Sequence, residues 1–335
     1  MNILLTGGAG YIGSHTAVLL IQAGHQVVIY DNFCNSSKSV IDKLESVVSQ
    51  KVALVDGDTR DTELLIEALK SFSVDTVIHF AGLKAVGESV DKPLSYYENN
   101  VQGTLSLLKA MDENNIKNII FSSSATVYGD PQFLPIDESH PLAPTNPYGR
   151  TKFHIEQILE DLAKADATMK IINLRYFNPV GAHHSGLLGE DPRGIPNNLI
   201  PFIARVASGE LHELSVFGNN YPTIDGTGVR DYIHVMDLAK GHVAALNFLS
   251  QAVGFESFNL GTGTGYSVLQ MINTYEKASG NTIPYKIVGK RPGDIASCYA
   301  APAKANQILQ WKAERTLLEM CESSWTFQTQ LKKSH

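Results

Sequence analysis

The chain has 335 residues, of which 43% are hydrophobic and 18% charged, proportions typical of a folded globular protein rather than a disordered one. This length exceeds the usual size of one hydrophobic core, so we expect two domains or one large α/β domain with an added lobe. A formal net charge of -7 argues against a general nucleic-acid surface, which needs a clustered excess of Lys and Arg.

The N-terminus and the cysteines favour a reducing cytosol. Residues 1–6 lack the basic and long apolar regions of a signal peptide, and no apolar run is long enough to predict a membrane span. Cys34, Cys298 and Cys321 are widely separated and have no CxxC spacing for zinc or redox chemistry. We therefore expect a cytoplasmic protein without a membrane partner, and interpret the sequon at Asn35 as turn composition.

Short apolar runs alternate with longer segments of helical period through the first half, which predicts parallel strands joined by crossover helices. Continuous apolar character in the runs indicates a sheet covered on both faces. The predicted strands are 3–5, 27–30, 52–55, 76–80, 118–122 and 170–174, and the predicted helices are 11–23, 61–70, 94–113 (opened by Pro93) and 148–165. The fold class expected is α/β, a doubly wound parallel sheet of Rossmann type.

After Phe177 the chain becomes rich in Gly, Pro, Asn and His, which predicts a smaller C-terminal α/β lobe. Short helices are predicted near 198–208, 237–250, 267–279 and 316–330. The boundary is placed at residue 180, giving domains 1–180 and 181–335. The helix and strand pattern of 231–262, with its strand at 257–260, predicts a return to the main sheet.

Gly7, Gly10 and Gly13 follow the first predicted strand and open the first predicted helix. Without side chains they let the backbone approach a pyrophosphate and place that anion on a helix N-terminus. A glycine trio alone equally indicates a tight turn, but Asp31 ends the second strand 18 residues after Gly13. A carboxylate there accepts from both ribose hydroxyls and repels a 2′-phosphate, which predicts NAD rather than NADP. Asp58 is open to two interpretations, an adenine contact or a helix N-cap.

Tyr148 and Lys152 are four residues apart on a predicted helix and therefore share a face. Such pairs occur in many helices by chance, but 122–124 is a run of three serines ending the fifth strand, at the sheet edge where ligands bind. Ser124 would lie beside Tyr148 and share the substrate proton. A phenol titrates near pH 10, so a base at neutral pH needs a pKa lowered to about 7. We expect Lys152 and a nicotinamide cation to lower it, while Lys152 also holds the nicotinamide ribose.

These motifs resemble those of the extended short-chain dehydrogenase/reductase superfamily, and most closely its UDP-glucose 4-epimerase family. The resemblance covers essentially the whole chain, through the further segments 79–89, 175–181 and 230–235. It implies that Tyr148 removes the O4 proton of a UDP-hexose while C4 passes a hydride to NAD. The 4-keto sugar would then turn over and receive the hydride on its other face, which would interconvert UDP-glucose and UDP-galactose.

The resemblance also implies two sets of contacts. To the glycines and Asp31 the NAD set adds Tyr11, Ile12, Asn32, Asn35, Asp58, Thr59, Phe80, Ala81, Gly82, Lys84, Asn99, Ser122, Tyr148, Lys152 and Tyr176. The UDP-sugar set is Lys84, Ser124, Tyr148, Phe177, Asn178, Asn197, Asn198, Leu199, Ser215, Phe217, Arg230, Arg291, Asp294 and Cys298. Domain 1–180 would thus bind NAD and domain 181–335 the UDP-sugar. Arg230 and Arg291 supply local cations, although Arg230 beside Asp231 is also typical of a surface ion pair.

Three other functions compete with epimerisation. A sugar-nucleotide 4,6-dehydratase needs an acid and a base, an Asp-Glu pair in that family, where this chain has Ala125 and Thr126. A non-catalytic NAD-binding regulator would need neither Tyr148 nor Lys152. A net dehydrogenase would need supplied NAD and would accumulate NADH. The complete set of residues favours the epimerase.

Cys298 stands seven residues after Arg291, at a pocket position that the resemblance implies is Tyr in glucose-only members and smaller in those accepting N-acetyl sugars. We therefore expect activity on UDP-GlcNAc and UDP-GalNAc as well. A packing thiol is the alternative interpretation, and Tyr299 would take the position if the register shifted by one.

Two further expectations concern metals and assembly. His183 and His184 have no acidic partner at metal-ligand spacing and are interpreted as solvated loop residues, so no metal is predicted. The helices at 94–113 and 148–165 resemble those that form a four-helix interface in the family, which implies a homodimer.

Overall fold

The computed structural model describes residues 1–333 except 193, 195, 197 and 292. The strands are β1 Asn2–Thr6, β2 Gln26–Asp31, β3 Ala53–Asp56, β4 Thr76–His79, β5 Asn118–Ser124, β6 Lys170–Tyr176, β7 Asn178–Val180, β8 Leu214–Phe217, β9 Val229–His234, β10 Gly254–Leu260, β11 Gly265–Ser267, β12 Tyr285–Val288 and β13 Ser297–Cys298. The helices are α1 Tyr11–Gln22, α2 Ser39–Val48, α3 Thr62–Ser71, α4 Val86–Asp91, α5 Pro93–Tyr96, α6 Gly103–Glu113, α7 Pro147–Ala165, α8 Leu199–Ala207, α9 Val235–Phe248, α10 Val268–Ser279, α11 Ala303–Ile308 and α12 Leu317–Lys333. A π-helical turn, Tyr97–Gln102, joins α5 to α6 and interrupts what the sequence predicted as one helix.

The main sheet has seven strands in the order β10-β6-β5-β4-β1-β2-β3, and every neighbouring pair is parallel. The predicted doubly wound parallel sheet is therefore confirmed. The strand predicted at 257–260 lies in β10, the edge strand that pairs with β6. The carboxyl ends of β1, β4, β5 and β6 meet at one edge, where such folds bind ligands.

Alternate residues of the inner strands of the main sheet enter two separate hydrophobic clusters. Ile3 and Leu5 of β1 pack in the cluster that also contains residues of α1, α2 and α9, whereas Leu4 packs with residues of α3, α6 and α7. A strand buried on both faces has no polar side to alternate with, which is why these strands read as continuous apolar runs. The same division fixes the register, because a slip of one residue would exchange the two faces.

The second half of the chain builds two small sheets beside the main one. In the first, β11 and β13 flank β9, which also pairs with β7, and in the second β12 pairs with β8. Their apolar side chains pack with those of α8, α10 and α12 in a third cluster. Among the helices described, none has both the length and the apolar character to cross a bilayer.

His79, at the end of β4, is buried beneath the ligand-binding edge between two threonines. Its Nδ1 lies 2.6 Å from Thr6 Oγ1, and its Nε2 lies 2.9 Å from Thr104 Oγ1. Because the Thr104 hydroxyl donates to the Asn100 carbonyl, it accepts from Nε2–H, and the Thr6 hydroxyl donates to Nδ1. The neutral ring is therefore fully bonded. Burial, and then the charge of Lys152, lower the pKa of His79 to about 3.

We expect protonation of His79 to contribute to acid unfolding. Its pKa is about 3 in the fold and 6.5 ordinarily, so between these values the unfolded chain binds one more proton and the free energy of unfolding falls as the pH is lowered. His79→Gln keeps a donor and an acceptor, and should remove about 2 kcal/mol of the loss between pH 6 and pH 4.5. Urea unfolding at both pH values measures this. The exposed His212, changed to Gln, is the control, and equal pH sensitivity of all three proteins would contradict the account.

Candidate active site

The turn between β1 and α1 presents open backbone at the sheet edge. Gly7 has a φ of +68°, and a Cβ there would lie 2.7 Å from the Ala81 backbone nitrogen. At Gly13 a Cβ would lie 2.6 Å from the Gly7 carbonyl oxygen. Gly10 is the N-cap of α1 and offers no side-chain cap, and the first turn of α1 holds no acidic residue. The uncapped helix N-terminus suits an anion such as a pyrophosphate.

Asp31 ends β2 with a buried side chain directed at the glycine turn. Its Oδ2 accepts from the Ala9 N–H at 3.0 Å, and its Oδ1 accepts from the Phe33 N–H at 2.8 Å and the Ser36 hydroxyl at 3.0 Å. Burial raises the pKa of Asp31, and these three donors oppose the shift. Asp31, the residue predicted to bind the ribose, is therefore hydrogen-bonded to the glycine turn that is predicted to bind the pyrophosphate.

Asp58 does not cap the helix that follows it. The N-cap of α3 is Asp61, whose side chain accepts from the Leu64 N–H, so the N-cap interpretation of Asp58 is wrong. Asp58 instead forms an ion pair with Arg60 at 2.8 Å and accepts from Asn32 Nδ2 at 2.9 Å. The hydrogen bond from Arg60 holds the pKa of this carboxyl well below its usual range. Asp58 thus lies next to a second predicted cofactor residue, Asn32.

The loop after β4 is fixed by a residue that sequence reasoning missed. The side chain of Asn100 accepts from the Leu83 N–H at 2.8 Å and donates to the Leu83 carbonyl at 3.0 Å. It also donates to the hydroxyl of Thr151, the residue before Lys152, at 3.0 Å. A buried amide in an otherwise amphipathic helix is the signal that could have identified it. Asn100 therefore ties this loop to the helix that carries Tyr148.

The other predicted cofactor residues follow the same edge. Phe80 and Ala81 both donate their N–H groups to the Thr6 carbonyl, at 2.9 and 3.0 Å. Tyr11 and Ile12 lie in the first turn of α1, Asn35 in the exposed loop after β2, Thr59 after β3, Gly82 and Lys84 after β4, Asn99 in the π-helical turn, Ser122 on β5 and Tyr176 on β6.

Tyr148 and Lys152 lie on α7, which begins at Pro147 and is capped by the Asn146 side chain. Lys152 is only 4% exposed, and its Nζ donates to the Ser122 carbonyl at 2.6 Å. Burial lowers the pKa of Lys152 to about 8, and the nearby charge of Glu156 opposes this shift. The predicted pair is therefore brought to the end of β5, as its spacing indicated.

The Ser124 hydroxyl connects β5 to Tyr148. Its oxygen accepts from the Thr126 N–H at 3.2 Å and from the Thr126 hydroxyl at 3.0 Å, which leaves its own hydrogen free to donate. Burial raises the pKa of Tyr148, while the hydrogen bond with Ser124 and the charge of Lys84 lower it. The sequence predicted this electrostatic role for Lys152 and a nicotinamide cation. Lys84, which follows β4, is a further cation that acts on the phenol, and the Lys152 ammonium donates to the Ser122 carbonyl.

Tyr221 interacts with three charged residues among the predicted UDP contacts of the second half. Arg291 forms an ion pair with Asp294 at 2.9 Å, and its guanidinium lies 4.5 Å from the centre of the exposed Phe217 ring. Burial and the charge of Asp294 raise the pKa of Tyr221, whereas Arg230 and Arg291 lower it, so all three charged side chains lie near one phenol. Cations stacked on an aromatic ring suit a nucleoside diphosphate.

Arg230 is not part of a surface ion pair with its neighbour. Asp231 is buried, and its carboxylate accepts from the backbone N–H groups of Thr262, Gly263 and Ala300 at 2.8 to 3.1 Å. Arg230 donates to the Val229 carbonyl at 2.8 Å. The ion-pair interpretation is therefore wrong.

The remaining predicted UDP-sugar residues lie at three places. Phe177 is buried after β6 and Asn178 is exposed at the start of β7. Asn198 is the N-cap of α8, Leu199 is its first residue, and Ser215 lies on β8. Asn197 lies outside the described residues. Cys298 pairs with Arg230 in the β13–β9 register and packs with Phe177, whereas the Tyr299 ring lies beside Gly265.

The histidine pair is not solvated as a whole. His183 is 3% exposed, and its Nδ1 lies 2.8 Å from Ser185 Oγ, while His184 is exposed and its ring lies 4.1 Å from that of His183. Burial lowers the pKa of His183 to about 4. The solvated interpretation is therefore wrong for His183. In the described residues no group of three or more His, Cys, Asp or Glu side chains is placed to hold a metal ion.

Comparisons with known proteins show the family to which the chain belongs. A family model described as GDP-mannose 4,6 dehydratase matches residues 4–324. UDP-glucose 4-epimerase of Bacillus subtilis (strain 168) is 55% identical over 329 residues, which cover 98% of this chain and 97% of that protein. The chain therefore belongs to the UDP-glucose 4-epimerase family.

Solved structures of UDP-glucose 4-epimerases have the same fold. The enzyme from Bifidobacterium longum, in complex with NAD+ and UDP, is 54% identical with a TM-score of 0.97, and 100% of each chain is covered. That from Stenotrophomonas maltophila, with bound NAD and formylated UDP-arabinopyranose, is 47% identical with a TM-score of 0.98, again over 100% of each chain. As a UDP-glucose 4-epimerase family member the chain is an isomerase.

Two glycines of the first turn should respond differently to alanine. Gly7→Ala forces a side chain into a left-handed conformation against the Ala81 backbone and should cost about 1–3 kcal/mol of folding free energy. Gly10 has a φ of -70°, and a Cβ there would lie 3.0 Å from the Gly7 carbonyl oxygen, so Gly10→Ala should fold at a cost of about 1 kcal/mol, less than that of Gly7→Ala. Its methyl group at the uncapped helix N-terminus should weaken NADH binding about tenfold or more. Urea unfolding and fluorescence titration with NADH test the pair, and equal stability of both variants would contradict the geometry.

Proposed function

We propose that the protein interconverts UDP-glucose and UDP-galactose by inverting C4 of the hexose, with NAD as its cofactor. The observation that carries the proposal is the arrangement at the sheet edge, where α7 brings Tyr148 and the buried Lys152 to the end of β5 and the Lys152 ammonium donates to the Ser122 carbonyl. In this proposal residues 1–180, with 231–262, bind NAD and residues 181–335 bind the UDP-sugar.

The chain's own groups fit NAD at both ends of the glycine turn. The uncapped start of α1 receives the pyrophosphate, and Asp31 receives the adenosine ribose. When bound, NAD supplies a hydride acceptor for C4 and a positive charge that favours the ionised phenol. Lys152 has used one of its three donors on the Ser122 carbonyl, so two remain for the nicotinamide ribose.

Tyr148 is the proposed base that removes the proton from O4. Ser124 donates to the phenol and shares the proton in transit, and Lys84 favours the phenolate. The same phenol returns the proton once the 4-keto sugar has turned over and been reduced on its other face. No second acid or base follows Ser124, because the 3₁₀ turn after it contains Ala125 and Thr126. This favours epimerisation over dehydration.

The binding energy is proposed to come from the nucleotide. Arg230, Arg291 and Phe217 form a cationic and aromatic surface near Tyr221, which suits the diphosphate and the uracil. If most of the affinity resides there, the hexose can rotate near Tyr148 while the UDP stays bound. This division is what inversion without release requires.

Removing the phenolic oxygen tests the proposed base. Tyr148→Phe should lower kcat for UDP-galactose about 10²- to 10⁴-fold, because a positioned base is lost, while UDP affinity changes less than about threefold. Sugar nucleotides are resolved by NMR after incubation without added NAD, and UDP affinity is measured by calorimetry. Conversion by Tyr148→Phe at the rate of the unchanged protein would contradict the role. Formation of a 4-keto-6-deoxy product by the unchanged protein would instead favour the 4,6-dehydratase function.

We also propose that UDP-GlcNAc and UDP-GalNAc are substrates, because Cys298 is small. The thiol packs against Phe177 in a cluster that includes Val127 and, partly buried, Ala125 of the turn after Ser124. Tyr299 is directed to Gly265 on β11, which supports Cys298 as the residue nearer the sugar. A phenol in place of the thiol would fill the space needed by an acetamido group.

Cys298→Tyr should therefore abolish turnover of UDP-GalNAc and keep that of UDP-galactose within about threefold. Cys298→Ala is the matched control, and should turn over both substrates. Initial rates on the two sugar nucleotides, measured for all three proteins, decide the matter. Unchanged UDP-GalNAc turnover by Cys298→Tyr would mean that the thiol is a packing residue and does not determine the substrate range.

A homodimer is proposed from an apolar surface on the described part of the chain. Val90 of α4, Leu94 of α5 and Leu105 of α6 are 62%, 75% and 40% exposed. Large aliphatic side chains that a fold leaves exposed are candidates for an interaction surface. Leu94 and Leu105 fall within 94–113, one of the two helices predicted from the sequence to form the interface, and Val90 lies four residues before it.

A further inference from the structure

Glu190 was not among the residues that the sequence indicated, yet it contacts two of them. It lies in the loop between β7 and α8, and its side chain is 10% exposed. Its Oε1 accepts from Lys84 Nζ at 2.9 Å and from Asn198 Nδ2 at 2.7 Å. Lys84 follows β4 of the main sheet and Asn198 occupies the N-cap position of α8. One carboxylate oxygen therefore joins the proposed cofactor side to the proposed UDP side.

We infer that Glu190 is a positioning residue that holds the Lys84 ammonium beside Tyr148 and Asn198 at the start of α8. The inference rests on the proposed function and deepens it. A lysine side chain has four rotatable bonds and loses rotamer entropy when it is fixed in one place. The buried Glu190 carboxylate holds the Lys84 ammonium in one position. It also fixes the amide of Asn198, an exposed side chain that would otherwise be free to rotate.

The charge of Glu190 has a second consequence for Tyr148. Burial raises the pKa of Tyr148, and Ser124 and then the charge of Lys84 lower it. Burial lowers the pKa of Lys84, whereas the charge and hydrogen bond of Glu190, and after them Tyr148, raise it. The other titratable groups that interact with Tyr148 are Tyr96 of α5 and Tyr176 of β6. Lys152, one turn further along α7, is directed away to the Ser122 carbonyl. Glu190 therefore offsets the cation with the most direct influence on the phenol.

Two substitutions distinguish the positioning of Lys84 and Asn198 by Glu190 from the effect of the Glu190 charge. Glu190→Gln keeps an acceptor oxygen for Lys84 and Asn198 but leaves the Lys84 charge without its counterion. The phenolate is then favoured, the pKa of Tyr148 falls, and the acid limb of the kcat/KM profile should move to lower pH by about half a unit to one unit. Glu190→Ala removes the acceptor, so UDP should bind about five- to tenfold more weakly and KM for UDP-galactose should rise in parallel.

The matched control is Asp191→Asn, which removes one negative charge from the adjacent position. Asp191 is half exposed and faces Arg205 at 3.7 Å. Its profile and UDP affinity should follow those of the unchanged protein. If it shifts the acid limb as far as Glu190→Gln does, the effect is long-range charge and the inference is wrong.

The measurements are UDP affinity by calorimetry and kcat/KM for UDP-galactose from pH 5.5 to pH 9. Weaker UDP binding by Glu190→Ala together with an acid shift in Glu190→Gln supports the inference. If Glu190→Ala only unfolds at a lower temperature, with UDP affinity and pH profile unchanged, Glu190 is merely structural. If the unchanged protein does not convert UDP-galactose, the proposed function fails by itself, and the UDP affinities of the four proteins still decide the role of Glu190.

Discussion

The ion pair between Glu156 and Arg175 is the contact on which the active-site edge depends. Both side chains are about 5% exposed, and Arg175 donates to the carboxylate through Nε at 3.1 Å and a terminal nitrogen at 2.7 Å. Ser123 donates its hydroxyl to the same carboxylate. Breaking such a pair leaves a buried charge without a partner and costs about 3–5 kcal/mol. Glu156 lies one turn after Lys152 on α7, so the pair fixes α7 against β5 and β6.

The same network extends to the far edge strand. Arg175 donates to the Tyr128 hydroxyl at 3.0 Å, and Tyr128 donates to Asn259 Oδ1 of β10 at 2.7 Å. These hydrogen bonds hold the loop after Ser124 to β10, the strand of the main sheet that comes from the second half of the chain. Groups that exchange a proton must keep their positions to a fraction of an ångström, and a buried hydrogen-bonded network provides this. The proposed UDP contacts Phe217 and Arg291 are instead exposed, where a ligand can enter.

Local chemistry explains what the sequence predicted well. Strands covered on both faces are continuous apolar runs, so all six strands of the first half were recognised. The glycine turn and Asp31 were found because a close backbone approach admits no Cβ, as the contact with Ala81 shows at Gly7. The Tyr148 and Lys152 spacing places both on one face of any helix, and the fold brought that face to the end of β5.

The errors come from partners that lie far apart in the chain or compete locally. Glu190 is 106 residues from Lys84, and no local pattern reports such a contact. The position of Asp58 after a strand suggested an N-cap. Its carboxylate instead forms an ion pair with Arg60, and Asp61 caps α3. His183 follows a glycine-rich stretch that indicated solvent, yet it is buried.

The central claim is that one hydrogen leaves C4 and returns to C4 without mixing with water. UDP-galactose labelled with deuterium at C4 tests it most directly, with the protein purified without added NAD and the products resolved by NMR. The account predicts UDP-glucose that retains the deuterium at C4, with no absorbance accumulating at 340 nm. Loss of the label to solvent, or accumulation of a reduced cofactor with a stable keto sugar, would contradict it.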